Sequence, residues 1–318
     1  MSKVILSIFA GRKCYIEILT YYLDLLLLKK LVDEVHFFDF IKNNGDREYI
    51  QELCEKKEGY ILIPKIKTTQ NPPWPMFYYY YGQNINDDDI LIKCDDDVVY
   101  IDVDNFHTYI ESVKEDKFYY PNIVNNDVCG CLQTLYGVHD LFYDVNSHSV
   151  DNPVKELVTG DIPPYDWSDI HTKPERAVHR NDPIKQFEGR KNGGFEWPMA
   201  DWCKNFEVAL KIHNQFCDNP EKFHFKNKEL IQYNSRISIN MFACKGNVVK
   251  KYFGICGKHG KRDEDYISAL SGVGNIINLN TTIVHFSFNP QNSKRLQSRI
   301  LHRYKELALK ITSEKTSK

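Results

Sequence analysis

The chain carries no excess of positive charge: 41 Lys and Arg face 43 Asp and Glu, for a formal net charge of -2. Phosphate backbones are held by strongly basic faces, so nucleic acid is excluded as the main partner. There is no Cys-x-x-Cys. The nine cysteines are odd in number and scattered, and the one tight pair, Cys129-Gly130-Cys131, lacks zinc-site spacing. Unpaired thiols in a reducing compartment are the expectation. No apolar stretch is long enough for a transmembrane segment, which takes about 20 mostly apolar residues. The densest, Leu25-Leu26-Leu27-Leu28, is hemmed in by Glu17, Asp24, Lys29 and Lys30. The opening apolar run, 4–9, is short and flows into Arg12 and Lys13, so it reads as a first buried strand rather than a signal peptide. Internal repeats and low-complexity segments are absent as well. These absences point to a cytoplasmic protein.

What is present is a globular composition and a regular alternation. At 318 residues, 42% hydrophobic and 26% charged, the chain can bury a large core. Buried strands are predicted over 4–9, 35–40, 60–63 and 90–94. Helices are predicted over 14–30, over 46–57, and after the stiff Asn71-Pro72-Pro73-Trp74-Pro75 connection. Within 14–30, Ile16, Leu19, Leu23 and Leu26 recur at helical spacing. Strands alternating with helices imply right-handed βαβ units and a mainly parallel, Rossmann-like α/β sheet flanked by helices. Ligands of such sheets bind outside the carboxyl ends of the strands. The turn Ala10-Gly11-Arg12, Asp39 and the carboxylates 95–97 all fall at such ends, and are predicted to line one edge.

Further on, a helix is predicted over 104–113 and a Tyr-rich strand over 117–124. Residues 125–199 carry six prolines and little periodicity, and Trp167, Trp197 and Trp202 favour an ordered insertion there. Helical spacing returns over 202–216. Strands follow at 237–242 and 282–288, with an apolar segment at 248–253 and an acidic helix start at 263–270. The tail, 292–312, sets Leu296, Ile300, Tyr304, Leu307 and Ile311 on one helical face opposite a basic side. A helix resting that stripe on the domain is preferred over one lying on an anionic membrane.

Three Asp-x-Asp arrangements cluster in 87–104. Asp87 and Asp89 precede a strand and read as solvated turn charge; Asp102 and Asp104 read as an N-terminal cap for the next helix. Only Asp95 and Asp97 end a strand beside the predicted cleft. In extended chain they share a face and Asp96 takes the other, a spacing suited to clamping one cation or ligand. Three adjacent carboxylates also need compensating positive charge, which Lys93 can supply. Arg12 is placed to meet phosphate and Asp39 to hydrogen-bond a base or ribose, while Gly11 allows close backbone approach.

The segment Ile90-Leu91-Ile92-Lys93-Cys94-Asp95-Asp96-Asp97-Val98-Val99 resembles the Asp-x-Asp signature of the GT-A glycosyltransferases. Asp263-Glu264-Asp265-Tyr266 resembles that family's acidic motif on the acceptor side. Ile283-Val284-His285-Phe286 resembles its late strand, whose histidine completes a metal site. The likeness covers the N-terminal third and 237–291, and leaves 125–202 unmatched. It implies one catalytic domain over 1–318: a nucleotide-sugar-binding half at 1–104, an acceptor-side half at 105–291 with its insertion at 125–202, and a C-terminal helix at 292–318. It further implies Mn2+ or Mg2+ held by Asp97, Asp95 and His285, with imidazole tilting the choice towards Mn2+. Asp97 is the direct ligand; Asp95 also reaches ribose or sugar hydroxyls. Donor contacts fall to Ala10, Gly11, Arg12, Asp39, Lys93, Asp95 and Asp96. Asp265 is the candidate general base of an inverting transfer, with Glu264 as the alternative. The donor is then a UDP- or GDP-linked sugar, and the acceptor a hydroxyl of a glycan, protein or lipid-linked molecule.

Two other readings use the same residues. A haloacid-dehalogenase-like phosphatase would take Asp95 as a phosphorylated nucleophile. That motif normally follows the first strand of its fold, whereas here βαβ units precede it. A nucleotide-sugar-binding module without catalysis is the third, and the intact set Asp95, Asp97, Asp265 and His285 argues against it.

Overall fold

In the computed structural model the described residues are 2–66, 74–139, 206–233, 237–253, 267, 273–286 and 294–316. The N-terminal half alternates as the apolar pattern demands: β1 (Val4–Ala10), α1 (Lys13–Leu28), β2 (Glu34–Asp39), α2 (Asn44–Lys56), β3 (Tyr60–Ile63), α3 (Pro75–Asn84) and β4 (Ile90–Asp95). β1 and β4 are buried almost throughout, which is why they read as continuous apolar runs. Ile16, Leu19, Leu23 and Leu26 are the buried face of α1. In α3 the aromatic run mostly fills the core, with Phe77, Tyr78 and Tyr81 fully buried and Tyr79 half-exposed.

After β4 come β5 (Val98–Ile101), α4 (Phe106–Ser112), β6 (Phe118–Val124) and α5 (Asp127–Leu135). The chain continues through α6 (Phe206–Asp218), a 3-10 turn (Pro220–Phe223), β7 (Ile231–Tyr233), β8 (Met241–Lys245), α7 (Gly246–Phe253), β9 (Asn275–His285) and α8 (Lys294–Thr316). The sheet runs β3-β2-β1-β4-β8-β6-β9-β5, with β7 also paired to β9. Among the described strands, β1, β2, β3, β4, β6 and β9 point one way and β5, β7 and β8 run against them. This is a mixed α/β architecture with a large, mostly parallel sheet flanked by helices, compatible with a Rossmann-like fold. The register between β6 and β9 shifts at Pro121, a residue without an N–H to give the ladder.

α8 packs on α1 and α6 and buries Ile300, Tyr304 and Ala308. Arg303 on its flank donates to Asn214 and Asp218 of α6. No described helix is long and apolar enough to cross a membrane.

Several sequence expectations shift. The strand expected at 237–242 forms at Met241–Lys245, and the segment 248–253 is helical. Asp89 is buried rather than solvated, because it accepts from the backbone of Lys3 and from Asn86 and so ties β4 to the chain's start. Asp102 does not cap α4: Asn105 holds that position, and Asp102 instead closes the preceding turn by accepting from Asn105.

Candidate metal centre

Because six strands share a direction, their carboxyl ends form one edge. There Gly11 and Arg12 leave β1, Asp95 ends β4, Asn125 leaves β6 and His285 ends β9. β8 runs the other way, so the residues entering it, Ile239 and Asn240, reach the same edge. Asp95 N donates to the Asn240 carbonyl at 2.8 Å and fixes the end of β4 there.

The chain does not stay extended past Asp95. Asp96 and Asp97 form a two-residue turn, after which β5 leaves for the far side of the sheet and pairs with β9. That departure brings distant residues together: Val98 is in register with His285, and Phe286 N donates to the Asp97 carbonyl at 2.8 Å. The side-chain segregation expected of an extended strand arises through this turn instead. Asp96 faces β1, where Gly11 N donates to its Oδ2 at 3.1 Å and Arg12 Nε to its Oδ1 at 3.1 Å. Asp95 and Asp97 face His285, and one ligand atom from each of the three lies within 4.8 Å of the others.

Each of these side chains has a held orientation. Asp97 is bracketed, with Arg12 Nη2 at 2.9 Å from Oδ2 and His285 Nε2 at 3.5 Å from Oδ1. His285 turns Nδ1 to the Asn125 carbonyl at 3.4 Å. A carbonyl only accepts, so Nδ1 keeps the proton and Nε2 is the atom that faces the carboxylates. Asn125 reaches this pose in the left-handed region (φ 64), which Asn tolerates better than most residues. Its side-chain amide also donates to the carbonyls of His285 and Phe286, at 3.1 and 3.0 Å. Lys93, 1% exposed, ion-pairs with Asp95, donates to the Ile239 carbonyl at 2.6 Å and lies 4.6 Å above the Phe9 ring.

The electrostatics follow from crowding charges out of water. Burial pushes Asp95 up against the pull of Lys93, and pushes Asp96 up against Arg12. Burial opposes ionisation of Asp97 too, but His285 and Arg12 outweigh it and hold the carboxyl down at about 2. His285 moves the other way: burial lowers it, and Asp97 more than offsets that, leaving it raised. The three carboxylates are thus faced by Lys93, Arg12 and the His285 ring. Two carboxylate oxygens and an imidazole nitrogen gathered in this way form a candidate site for a divalent metal ion.

The remaining expected residues sit differently. Asp39 is buried, ion-paired with Arg47, and accepts from Ile41 N at 3.1 Å, so its oxygens are engaged within the fold instead of facing a base or ribose. Ala10 is fully buried and its carbonyl accepts from Phe40 N at 3.0 Å, which leaves its side chain no path to a ligand. Asp96 is likewise held by Gly11 and Arg12 rather than open to a donor. Gly11 earns its place through close approach: a Cβ there would lie 3.2 Å from Asp96 Oδ2. Asp265, Glu264 and most of 125–202 lie outside the described residues. Asn125, Arg47 and Asn126, whose side-chain amide donates to Asn240 Oδ1 at 3.1 Å, were not foreseen. The Asn-Asn pair directly after a predicted strand was the available signal, since it falls on the same edge as Asp95.

No family model matches the chain, and no curated protein does. Among solved structures, a 4-diphosphocytidyl-2C-methyl-D-erythritol synthase from Anaerococcus prevotii aligns at 16% identity and a TM-score of 0.30, over 40% of this chain and 57% of that one. The chain therefore spans little more than half of that enzyme's length. A mannose-6-phosphate isomerase from Helicobacter pylori aligns at 10% identity and a TM-score of 0.33, over 93% of this chain and 88% of that one. At such TM-scores neither neighbour bears on what this chain does.

Proposed function

We propose that the chain is a divalent-metal-dependent glycosyltransferase of the GT-A type, moving a sugar from a nucleoside diphosphate to a hydroxyl acceptor. The observation that carries this reading is the meeting of Asp95, Asp97 and His285 at the carboxyl ends of β4 and β9, within 4.8 Å. Asp97 and His285 are the principal ligands, and Asp95, ion-paired with Lys93, completes the set. When bound, the cation neutralises charge that develops on the departing nucleoside diphosphate. Asn125 keeps the His285 ring turned so that Nε2 faces the ligand set, and Gly11 lets the β1–α1 turn close onto Asp96. Asp265, or Glu264 beside it, serves as the base that takes the acceptor's proton in an inverting transfer. UDP- and GDP-linked sugars are the donor classes to try first.

The test is release of nucleoside diphosphate from a panel of UDP- and GDP-sugars with Mn2+, for wild type, Asp97→Asn and Asp265→Asn. The proposal expects release by wild type with at least one donor, loss in Asp97→Asn, and loss of turnover with retained donor binding in Asp265→Asn. No binding and no release across the panel would sink it. A phosphoryl group trapped covalently on Asp95 would replace it with the phosphatase reading.

A further inference from the structure

Among the described residues, Arg12 is the one cation of this cluster with substantial exposure: its side chain is 45% accessible, whereas those of Lys93 and His285 are 2% and 4%. It leaves the first turn of the sheet, lies 4.6 Å over the Tyr15 ring, and reaches across to two carboxylates at once. Its Nε and Nη2 fork onto Asp96, and Nη2 also sits 2.9 Å from Asp97 Oδ2. Asp96 is fully engaged by that fork and by Gly11 N. Asp97 is not: its contact with Arg12 is a single nitrogen shared with Asp96.

We propose that Arg12 stands in for the divalent cation at Asp97 while the centre is metal-free, and transfers its free N–H groups to the diphosphate of the nucleotide once the metal is bound. This rests on the metal-centre reading above. The physical case is charge economy. In the metal-free centre Arg12 Nη2 lies 2.9 Å from Asp97 Oδ2 while the same nitrogen ion-pairs with Asp96. A divalent ion held at Asp97 brings two positive charges to the carboxylate that Arg12 reaches with one shared nitrogen. Asp97 then has a better partner than a shared guanidinium nitrogen. Arg12 keeps Asp96 through Nε and turns Nη1 and Nη2 to its exposed side, within reach of a diphosphate that would bind the same ion. Guanidinium is suited to the exchange because its planar fork serves carboxylate and phosphate alike. The same residue therefore competes with the metal and cooperates with the nucleotide.

Opposite signs follow, and they separate this role from a merely structural one. In Arg12→Gln the metal loses a competitor, so Mn2+, followed by the electron paramagnetic resonance of the free ion, binds tighter by about threefold to fivefold. UDP or GDP, titrated calorimetrically into the Mn2+-loaded variant, binds about tenfold or more weaker because a charge-assisted contact is gone. Arg12→Lys, a cation without the fork, recovers part of the nucleotide affinity while releasing Asp97. Equal or weaker Mn2+ binding in a folded Arg12→Gln overturns the inference and leaves the metal centre standing. Unchanged nucleotide affinity in both variants overturns it as well. Absence of Mn2+ binding in wild type removes the metal centre itself, and the inference with it.

Discussion

Replacing Asp97 by Asn keeps the side chain's size and removes its charge, and the structure fixes what that should do. The carboxyl is held at about 2 although it is only 4% exposed, because His285 and Arg12 flank it. A group whose folded pKa lies below its unfolded value contributes stability above the unfolded value and loses it as the pH falls through the folded one. The ionised carboxyl therefore contributes on the order of 2–3 kcal/mol at neutral pH. Metal-free Asp97→Asn is therefore expected to melt about 5 °C below wild type, at roughly 2 °C per kcal/mol for a chain of this size. Metal adds a second, diagnostic difference. Mn2+ at a hundred times its dissociation constant stabilises wild type by about 2.7 kcal/mol, or about 5 °C. If losing the ligand weakens binding about a hundredfold, the same Mn2+ concentration gives the variant only about 0.4 kcal/mol, under 1 °C. Differential scanning fluorimetry in EDTA and in Mn2+ reads both numbers. An equal Mn2+ shift in wild type and variant would refute the reasoning, whatever the metal-free difference.

Two further expectations concern the scaffold. His213 is buried, with Nε2 donating to the Phe286 carbonyl at 2.7 Å and Nδ1 accepting from Tyr304 at 2.8 Å; burial lowers it to about 4. Its folded pKa is below the unfolded value near 6.5, so stability is retained above that pH and falls by about 3 kcal/mol as the pH drops to 4. Urea melts of wild type and His213→Gln across that window should show the slope in wild type and a flatter profile in the variant; identical profiles would contradict it. Gly246 opens α7 against the 86–89 turn, where an added Cβ would sit 1.8 Å from the Asn86 carbonyl oxygen. Gly246→Ala should cost about 3 kcal/mol in chemical denaturation through forced backbone movement, and wild-type stability in that variant would show that the contact is misdescribed.

The N-terminal half was legible because β1, β2 and β4 are buried almost throughout and α1 keeps a strict stripe: Ile5, Leu6 and Ile8 of β1 and Ile16, Leu19 and Leu23 of α1 are all buried. The edge holding the carboxylates was legible for the same reason, since strand direction alone brings β1, β2 and β4 to it. What the sequence could not give was partnership within that edge. Asp39 looks like Asp95 in the chain, and both end a strand; only the fold shows that α2 returns Arg47 to one of them. Lys93 reads from the chain as charge compensation for the carboxylates, and only the fold adds its second partner, the Ile239 carbonyl ahead of β8. The turn at Asp96 was hidden because alternation in an extended strand and a tight turn predict the same segregation of three side chains. Asn125 escaped notice because it borders a segment without periodicity, and its role depends on a left-handed backbone that residue type only permits.

The most direct measurement is calorimetric titration of UDP and of GDP into the wild-type chain, once in Mn2+ and once in EDTA. With a cation on Asp95, Asp97 and His285 bridging protein and diphosphate, one of the two nucleotides should bind with one site per chain in Mn2+. Its affinity should fall by about tenfold or more in EDTA, the loss of a charged contact. Binding that is equally tight in EDTA, or no binding of either nucleotide in Mn2+, would contradict the account.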